Sequence, residues 1–376
     1  MHQQEQYRLA VFGDVLQRAA SSAGSRQVYG VFRESERLVQ ILSDDETASS
    51  SLRHIGCVSC GEAGNAFSTT VKIGRCSYSI EFEKDIPLPG VVEFYPGPEG
   101  LDERRKALVT GGSLAGKRVI VIGAGTLGSA SALGLAQAGV GHFKVIDFDR
   151  VDTPNLSRHV CDVSDLGRLK AVALADRLRL RGVQADAVVA DVTTIDPKLL
   201  RLWFRKADLV LTTVDVPSAS FFVNELVVET KSTGLFVGAY ELAAAGEIIA
   251  VRSGSGPCLY CAVGFRAGLT ADFNLRERRH AYQGADGAKM VAEPGLGVDV
   301  TYLGVVAAAQ GLALLDPAGS RGALLGSGFS LVHGPSVPRG GDGALFRAPL
   351  EFIQARVKRS EPCPVCGYVT EMEKVP

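Results

Sequence analysis

The chain has 376 residues, a formal net charge of −1 and 46% hydrophobic residues, enough for a sizeable core in two domains or in one large domain with an appendage. The near-neutral balance leaves no basic footprint for nucleic acid or an anionic membrane. The longest apolar stretch, Leu303 to Leu315, is too short and too rich in Ala and Gly to span a bilayer, and the start, Met1-His2-Gln3-Gln4-Glu5, lacks the regions of a signal peptide, so a cytoplasmic protein is expected.

Along the first hundred residues, Tyr7 to Ala20 predicts a helix, and Val28 to Phe32 and Leu38 to Leu42 predict short strands. A Ser-rich stretch, Thr47 to Ser51, separates them from further strands at Thr70 to Ile73 and Tyr78 to Phe82. Pro- and Gly-rich Pro87 to Gly100 reads as a linker. Residues 1–100 are therefore expected to form a small α+β domain that binds a partner or clamps a peptide. His54-x-x-Cys57-x-x-Cys60 with distant Cys76 is either a second metal site or a reduced cluster, since no second clean pair completes it.

The next elements carry the chemistry. Val119 to Ile122 reads as a buried strand, Gly123-Ala124-Gly125-Thr126-Leu127-Gly128 as the turn after it, and Ser129 to Ala138 as the helix that the turn opens. Glycines let the backbone approach a phosphate, and the helix start offers unpaired N–H groups and partial positive charge. A second strand, Phe143 to Ile146, ends at Asp147, where a dinucleotide fold also needs an acid for ribose hydroxyls, so the glycines do not decide between NAD and ATP. The residues after Asp147 favour ATP: Asp149, then Asn155-Leu156-Ser157-Arg158, then Gly167-Arg168-Leu169-Lys170 place an amide and several cations just beyond the ribose site, where a triphosphate has use for them and hydride transfer does not.

Leu169 to Leu180 then predicts a helix, Ala187 to Ala190 a short strand, Leu209 to Leu211 a strand before Thr212-Thr213-Val214-Asp215, and Pro217 to Lys231 a helix opened by Pro. Gly234 to Gly238 and Glu247 to Val251 predict further strands, the latter antiparallel. Residues 265–298, rich in Arg and Gly, read as a mobile crossing loop. The expected fold is α/β, a doubly wound, mainly parallel Rossmann-like sheet spanning residues 101–376, with Gly123, Asp147 and Asp215 each just after a strand.

Cysteine spacing is the second strong signal. Of eight cysteines, four stand in Cys258-Leu259-Tyr260-Cys261 and Cys363-Pro364-Val365-Cys366. Two such pairs make a tetrahedral thiolate site for structural zinc, which would pin the C-terminal tail back onto the domain. A disulfide reading is disfavoured because nothing marks the chain as secreted. Cys161, the spare thiol near Arg158, reads as a small buried residue, Trp203 as core, and His142 and His159 as satisfied structural histidines.

The ordered series over roughly residues 100–370 resembles the adenylating enzymes that activate the C-terminal glycine of ubiquitin-like proteins and sulfur carriers, the ThiF, MoeB and ubiquitin-activating family. The resemblance implies that Gly123, Gly125 and Gly128 form the nucleotide loop, that Asp147 holds the ribose with Asp149 nearby, that Asn155, Arg158 and Lys170 contact phosphates, and that Asp215 is the Mg²⁺-associated aspartate. It places zinc at Cys258, Cys261, Cys363 and Cys366. It further implies a homodimer whose sites are completed by an arginine upstream of the first strand, a part for which Arg104 and Arg105 are the candidates. Val216 and Ser220 depart from the family pattern, which has Asn and Arg there. Ala262 to Tyr302 contains no cysteine, so the resemblance is to members that stop at the acyl-adenylate. The expected reaction is ATP-dependent adenylation of a C-terminal carboxylate on a small carrier protein. A short precursor peptide as substrate, a non-catalytic binding module for a partner or leader peptide, and a NAD-dependent oxidoreductase are the alternatives.

Overall fold

In the computed structural model the chain divides into two compact units, Met1–Lys106 and Ala107–Pro376. The structure describes residues 6–13, 15–20, 25–44, 52–61, 66–73, 75–95, 108–109, 114–240, 243, 245–252, 254, 256–263, 295–319, 328–333 and 350–367. Arg104, Arg105, the Ser-rich stretch from Thr47 to Ser51 and most of the expected crossing loop lie outside the described residues.

The first unit is built on strands β1 (Arg8–Phe12), β2 (Arg26–Arg33), β3 (Leu38–Ser43), β4 (Arg53–Cys60), β5 (Ser68–Ile73), β6 (Cys76–Phe82) and β7 (Val91–Tyr95), with helix α1 (Val15–Ala20) between the first two. They form one sheet in the order β5-β6-β4-β2-β3-β1-β7, antiparallel except where β1 lies parallel to β3 and β7. Val15, Leu16 and Ala19 of α1 join Leu9, Val11, Val39, Ile41, Ile55 and Ile80 in its core.

Two expectations are corrected here. Tyr7 to Ala20 is not one helix: Leu9 to Val11 are buried between two neighbouring strands, and Gly13, at φ +59, turns the chain before α1 starts. A short apolar run fits a buried strand as well as a helix, and pairing on both sides decides it. Nor is Pro87 to Gly100 wholly linker, because Val91-Val92-Glu93-Phe94-Tyr95 has the composition of a strand and adds to β1 as β7.

The second unit contains β8 (Arg118–Ile122), α2 (Thr126–Ala138), β9 (His142–Ile146), α3 (Lys170–Arg179), β10 (Gln184–Val188), α4 (Pro197–Lys206), β11 (Leu209–Thr212), α5 (Pro217–Thr230), β12 (Thr233–Ala239), β13 (Ala245–Arg252), α6 (Gly297–Leu315), β14 (Gly328–His333) and β15 (Phe352–Arg356). The sheet order is β10-β9-β8-β11-β12-β13-β14-β15. The first five strands in that order are parallel, and β13 to β15 continue the sheet antiparallel. The short strand expected at Ala187 to Ala190 lies three residues earlier, at β10, and α6 begins inside the segment expected to be loop.

Alternate residues of the strands feed two cores. Val119, Val121, Val145 and Leu211 pack against α2, α3 and α6, whereas Ile120, Ile122, Ile146 and Val210 pack against α4, α5 and the cysteine-bearing segments. That two-faced burial is the mark of a doubly wound sheet. Helix α6 is longer than its apolar stretch, at 19 residues, and by length and composition alone it is apolar enough to cross a membrane. Here it is a core helix. Gly304 leaves no room for a Cβ against Ala130, Gly134 none against Ala308, and the Ser131 hydroxyl donates to the Gly304 carbonyl at 2.9 Å, so α2 and α6 pack at close range.

Candidate active site

Strands β9 and β11 flank β8, and the chain passes from β8 to β9 and β10 on one side before crossing to β11 on the other. The carboxyl end of β8 is thus the point where strand order reverses, the usual ligand crevice in such sheets. Three of the expected elements meet there. Gly123, at φ +92, turns the chain out of β8, and its N–H donates to the Ile146 carbonyl at the end of β9. A Cβ at Gly128 would overlap the Gly123 carbonyl oxygen, so only glycine lets α2 start this close to the turn. Gly125 is the N-cap of α2, has no side-chain cap, and has nothing within 4 Å of where its Cβ would stand. The loop therefore shows bare backbone to open space at a helix N-terminus, the arrangement that suits a phosphate.

Asp147 closes the loop from the β9 side. One carboxylate oxygen accepts the Ala124 N–H at 2.6 Å and the other the Asp149 N–H at 2.7 Å. Burial pushes its carboxyl above the ordinary value despite those two bonds and nearby Lys170. Lys170, the first residue of α3 and almost fully buried, donates its Nζ to Asp149 Oδ2 at 3.0 Å, and its backbone N–H to the Asp149 carbonyl at 2.8 Å. The lysine is thereby fixed beside the loop, not solvated on a helix surface.

Asn155 sits in a short 3₁₀ turn, Thr153–Ser157, where its Oδ1 accepts the Asp152 N–H at 2.9 Å in a capping box. Arg158 ends that turn half-buried, and Gly297 at the start of α6 packs so tightly over Ser157 and Arg158 that a side chain there would clash with the Ser157 carbonyl. Asp215 lies exposed three residues beyond β11 and just before α5. Arg168, which the sequence placed among the phosphate-side cations, is engaged elsewhere: it pairs with Asp165 and Asp176, while Arg177 pairs with Asp162 and Asp165.

Two residues to which the sequence assigns no part in the site belong to this set, one of them His159, which the sequence reads as a satisfied structural histidine. The Thr213 hydroxyl donates to the Gly123 carbonyl at 2.8 Å, tying the loop after β11 to the loop after β8. His159 Nε2 bonds the Ala124 carbonyl at 2.6 Å and its Nδ1 accepts the Cys161 N–H at 3.1 Å. Their signal in the sequence is positional: each polar side chain directly follows a recognised motif residue or strand end. Cys161 is buried, and burial beside Asp165 pushes its thiol up to about 11, so it stays protonated. Trp203 is only half-buried and carries Lys144 over its ring at 4.9 Å.

The four expected cysteines converge. Their sulfur atoms all lie within 4.8 Å of one another, with Cys258 to Cys363 at 3.6 Å and Cys261 to Cys366 at 3.5 Å. A zinc tetrathiolate with bonds of about 2.3 Å has sulfur–sulfur edges of about 3.8 Å, whereas a disulfide is about 2.05 Å long. The spacing fits the metal. Burial pushes the thiols of Cys258 and Cys366 up, whereas backbone N–H groups of Cys366 and Val365 outweigh the burial of Cys363 and hold its thiol down to about 7, so without a cation only Cys363 is drawn toward the thiolate. Asn224 on α5 accepts the Leu259 N–H at 2.9 Å and anchors the first pair. Among the described residues no other metal-holding group of three or more His, Cys, Asp or Glu occurs. His54 stands 4.0 Å from Cys57 and instead pairs with Glu83 at 2.7 Å, and Cys60 and Cys76 are exposed.

The ThiF family sequence profile matches residues 112–323, more than half of the chain and every residue placed above at the end of β8. The chain belongs to the ThiF family. Among curated ThiF-family relatives it is 32% identical over 173 residues to the sulfur carrier protein ThiS adenylyltransferase of Bacillus subtilis, covering 44% of this chain and 46% of that protein. It is 37% identical over 125 residues to the probable adenylyltransferase/sulfurtransferase MoeZ of Mycobacterium tuberculosis, covering 31% of this chain and 29% of that protein. The chain thus spans less than half the length of these relatives. Among solved structures, E. coli MccB with AMPCPP and MccA aligns over 68% of this chain and 67% of that one at 18% identity and a TM-score of 0.48.

Proposed function

We propose that this ThiF-family chain transfers AMP from ATP to the C-terminal carboxylate of a small ubiquitin-like or sulfur-carrier protein, releasing pyrophosphate. The observation that carries the reading is the bonded set at the strand ends: an open helix N-terminus, Asp147 locked on the loop, and Lys170 held beside it by Asp149. In this scheme a carboxylate oxygen attacks the α-phosphorus and the bond to the bridging oxygen breaks, so attacking and leaving groups are both anionic. The task of the protein is to offset that charge without reorganising.

The Gly125 N–H and the first turn of α2 donate to phosphate oxygens. Asp147 keeps lone pairs for ribose hydroxyls. Lys170 and Arg158 supply positive charge, with the Asn155 amide as a neutral donor. Asp215 would hold Mg²⁺, which when bound supplies further positive charge opposite the leaving pyrophosphate. No general base is required, because the attacking carboxylate is already ionised near neutral pH. A Gly-Gly ending is the expected substrate, since a tail without side chains could thread even a narrow path to the nucleotide. With no cysteine between Ala262 and Tyr302, the acyl-adenylate is released to another nucleophile. Zinc at the four cysteines is structural in this scheme, closed by its thiolates. A homodimer would bring Arg104 or Arg105 of one copy to the site of the other.

The test is exchange of radiolabelled pyrophosphate into ATP with candidate carrier proteins ending in Gly-Gly and, in parallel, short peptides with the same ending. Carrier-dependent exchange that disappears in Asp215→Ala and Arg158→Ala is expected. Exchange undiminished in both variants would show that the site is wrongly assigned, and exchange with short peptides alone would move the substrate from a folded carrier to a precursor peptide.

A further inference from the structure

Resting on the nucleotide reading of this crevice, the geometry points to His159 as the positioning residue that aims the Gly125 N–H of the glycine loop into the phosphate site. In a trans peptide the carbonyl and the following N–H point in opposite directions. The Ala124 carbonyl is held by His159 Nε2 at 2.6 Å, so the Gly125 N–H of the same peptide unit points away from the imidazole. On the preceding peptide the Ala124 N–H is taken by Asp147 at 2.6 Å. The two bonds clamp Ala124 from both ends and leave Gly125, uncapped and open, as the donor that faces outward.

The imidazole is itself fixed. Its Nδ1 accepts the Cys161 N–H at 3.1 Å, which leaves Nε2 as the nitrogen that carries the proton and donates to Ala124. A second proton on Nδ1 would face the Cys161 N–H and break that bond. Burial keeps the ring below its usual titration range, opposed by the bond to the Ala124 carbonyl and by Asp165 from the turn before α3, and helped by Lys170 and Arg177 on α3. The neutral tautomer is therefore the working form: a second proton leaves Nε2–H on Ala124 but removes the Cys161 bond that orients the ring, so acidification loosens the clamp.

Calorimetric titration of ATP with Mg²⁺ into the zinc-loaded protein tests this, using His159→Gln and His159→Leu. A glutamine amide can donate from nearly the place of Nε2, whereas leucine fills the space and donates nothing. His159→Leu is expected to weaken ATP about tenfold, the effect of one lost hydrogen bond at a binding site, and His159→Gln less than about threefold. Wild-type affinity should decline from pH 7.5 to pH 5.5 more steeply than that of His159→Gln. Melting temperatures measured alongside separate a loss of fold from a loss of aim, since leucine can match glutamine in stability but not in affinity. Equal affinities for wild type and His159→Leu, or equal losses in both variants, would overturn the clamp while leaving the nucleotide site standing. Wild-type protein that takes up no ATP would remove both.

Discussion

The glycine loop and the cysteine cluster sit in the same unit but are held together in different ways. Around the loop, atoms from Gly123 to Lys170 and Thr213 satisfy one another: Asp147 binds Ala124 and Asp149, Lys170 binds Asp149, Thr213 binds Gly123, and His159 binds Ala124. No added atom is needed for the set to close. At the cluster, sulfurs 105 positions apart in the chain stand face to face with few donors between them, the Ser360 N–H on Cys261 at 3.4 Å and the Cys366 N–H on Cys363 at 3.5 Å. Four thiolates in such a space repel unless a cation sits among them. The comparison teaches that the glycine-loop crevice is preorganised by the chain, whereas the four cysteines, which could hold a metal, need a cation among them before they can pin the C-terminal segment as thiolates.

If zinc fills the cluster as proposed, the largest effect should come from removing it. Cys363→Ser is expected to reduce bound zinc from about one ion per chain to nearly none by atomic absorption. Because apparent structural-zinc contributions are on the order of 10 kcal/mol, the melting temperature should fall by more than about 10 °C. If the two regions are as separate as their bonding implies, calorimetry below the new melting temperature still finds ATP uptake within about threefold of wild type. Loss of ATP binding at that temperature would show that the loop leans on the cluster. Next in size, Lys170→Ala should lower pyrophosphate exchange about 10²- to 10³-fold, the usual range for one lost charge-stabilising donor, while its melting temperature moves far less than that of Cys363→Ser.

The same contrast governs how much was legible in the sequence. The crevice could be read because its parts are local: β8, the glycine turn, β9 and Asp147 occur in one short run with strict strand-turn-helix order. The cysteine cluster could be read because paired Cys-x-x-Cys spacing announces a metal whatever the distance between the pairs. What was not legible depends on partners that periodicity does not encode. Leu9 to Val11 became a strand through its neighbours β3 and β7, and β7 itself was masked by flanking Pro and Gly. Arg168 looked like a phosphate ligand in the sequence until its carboxylate partners, Asp165 and Asp176, were placed around it. His159 and Thr213 carry no motif of their own, and only the carbonyls they reach give them a part in the loop.

Two smaller perturbations sharpen the picture of a self-contained loop. Gly128→Ala would ordinarily stabilise a helix by up to about 1 kcal/mol. Here the sign should reverse, to a loss of about 1–3 kcal/mol in denaturant titration, because the new Cβ overlaps the Gly123 carbonyl oxygen and stands 2.6 Å from Thr213 Oγ1. A neutral or stabilised variant would mean that the loop yields more readily than its bonding suggests. Thr213→Val removes the 2.8 Å bond to Gly123 at nearly constant volume, with an expected cost of about 1 kcal/mol in stability and a matching rise in the ATP dissociation constant.

The finest test is pH, and its sign is set by His159. Burial, with Lys170 and Arg177 nearby, makes the folded protein resist the imidazolium, so the unfolded chain takes up that proton at a higher pH. Wherever the unfolded state holds more protons, stability drops as pH drops. The contribution of His159 is therefore complete above the ordinary histidine range, about pH 6.5, and erodes as the pH is lowered toward the depressed value in the fold. Urea midpoints at pH 7.5 and 5.5 should show a wild-type decline that His159→Gln only partly reproduces, smaller than the effect of Thr213→Val. The difference between the two proteins isolates this one ring from every carboxylate that titrates below it. Identical declines would place the acid sensitivity of the fold elsewhere, and a wild-type midpoint that rose on acidification would mean that the ring is not held neutral between Ala124 and Cys161.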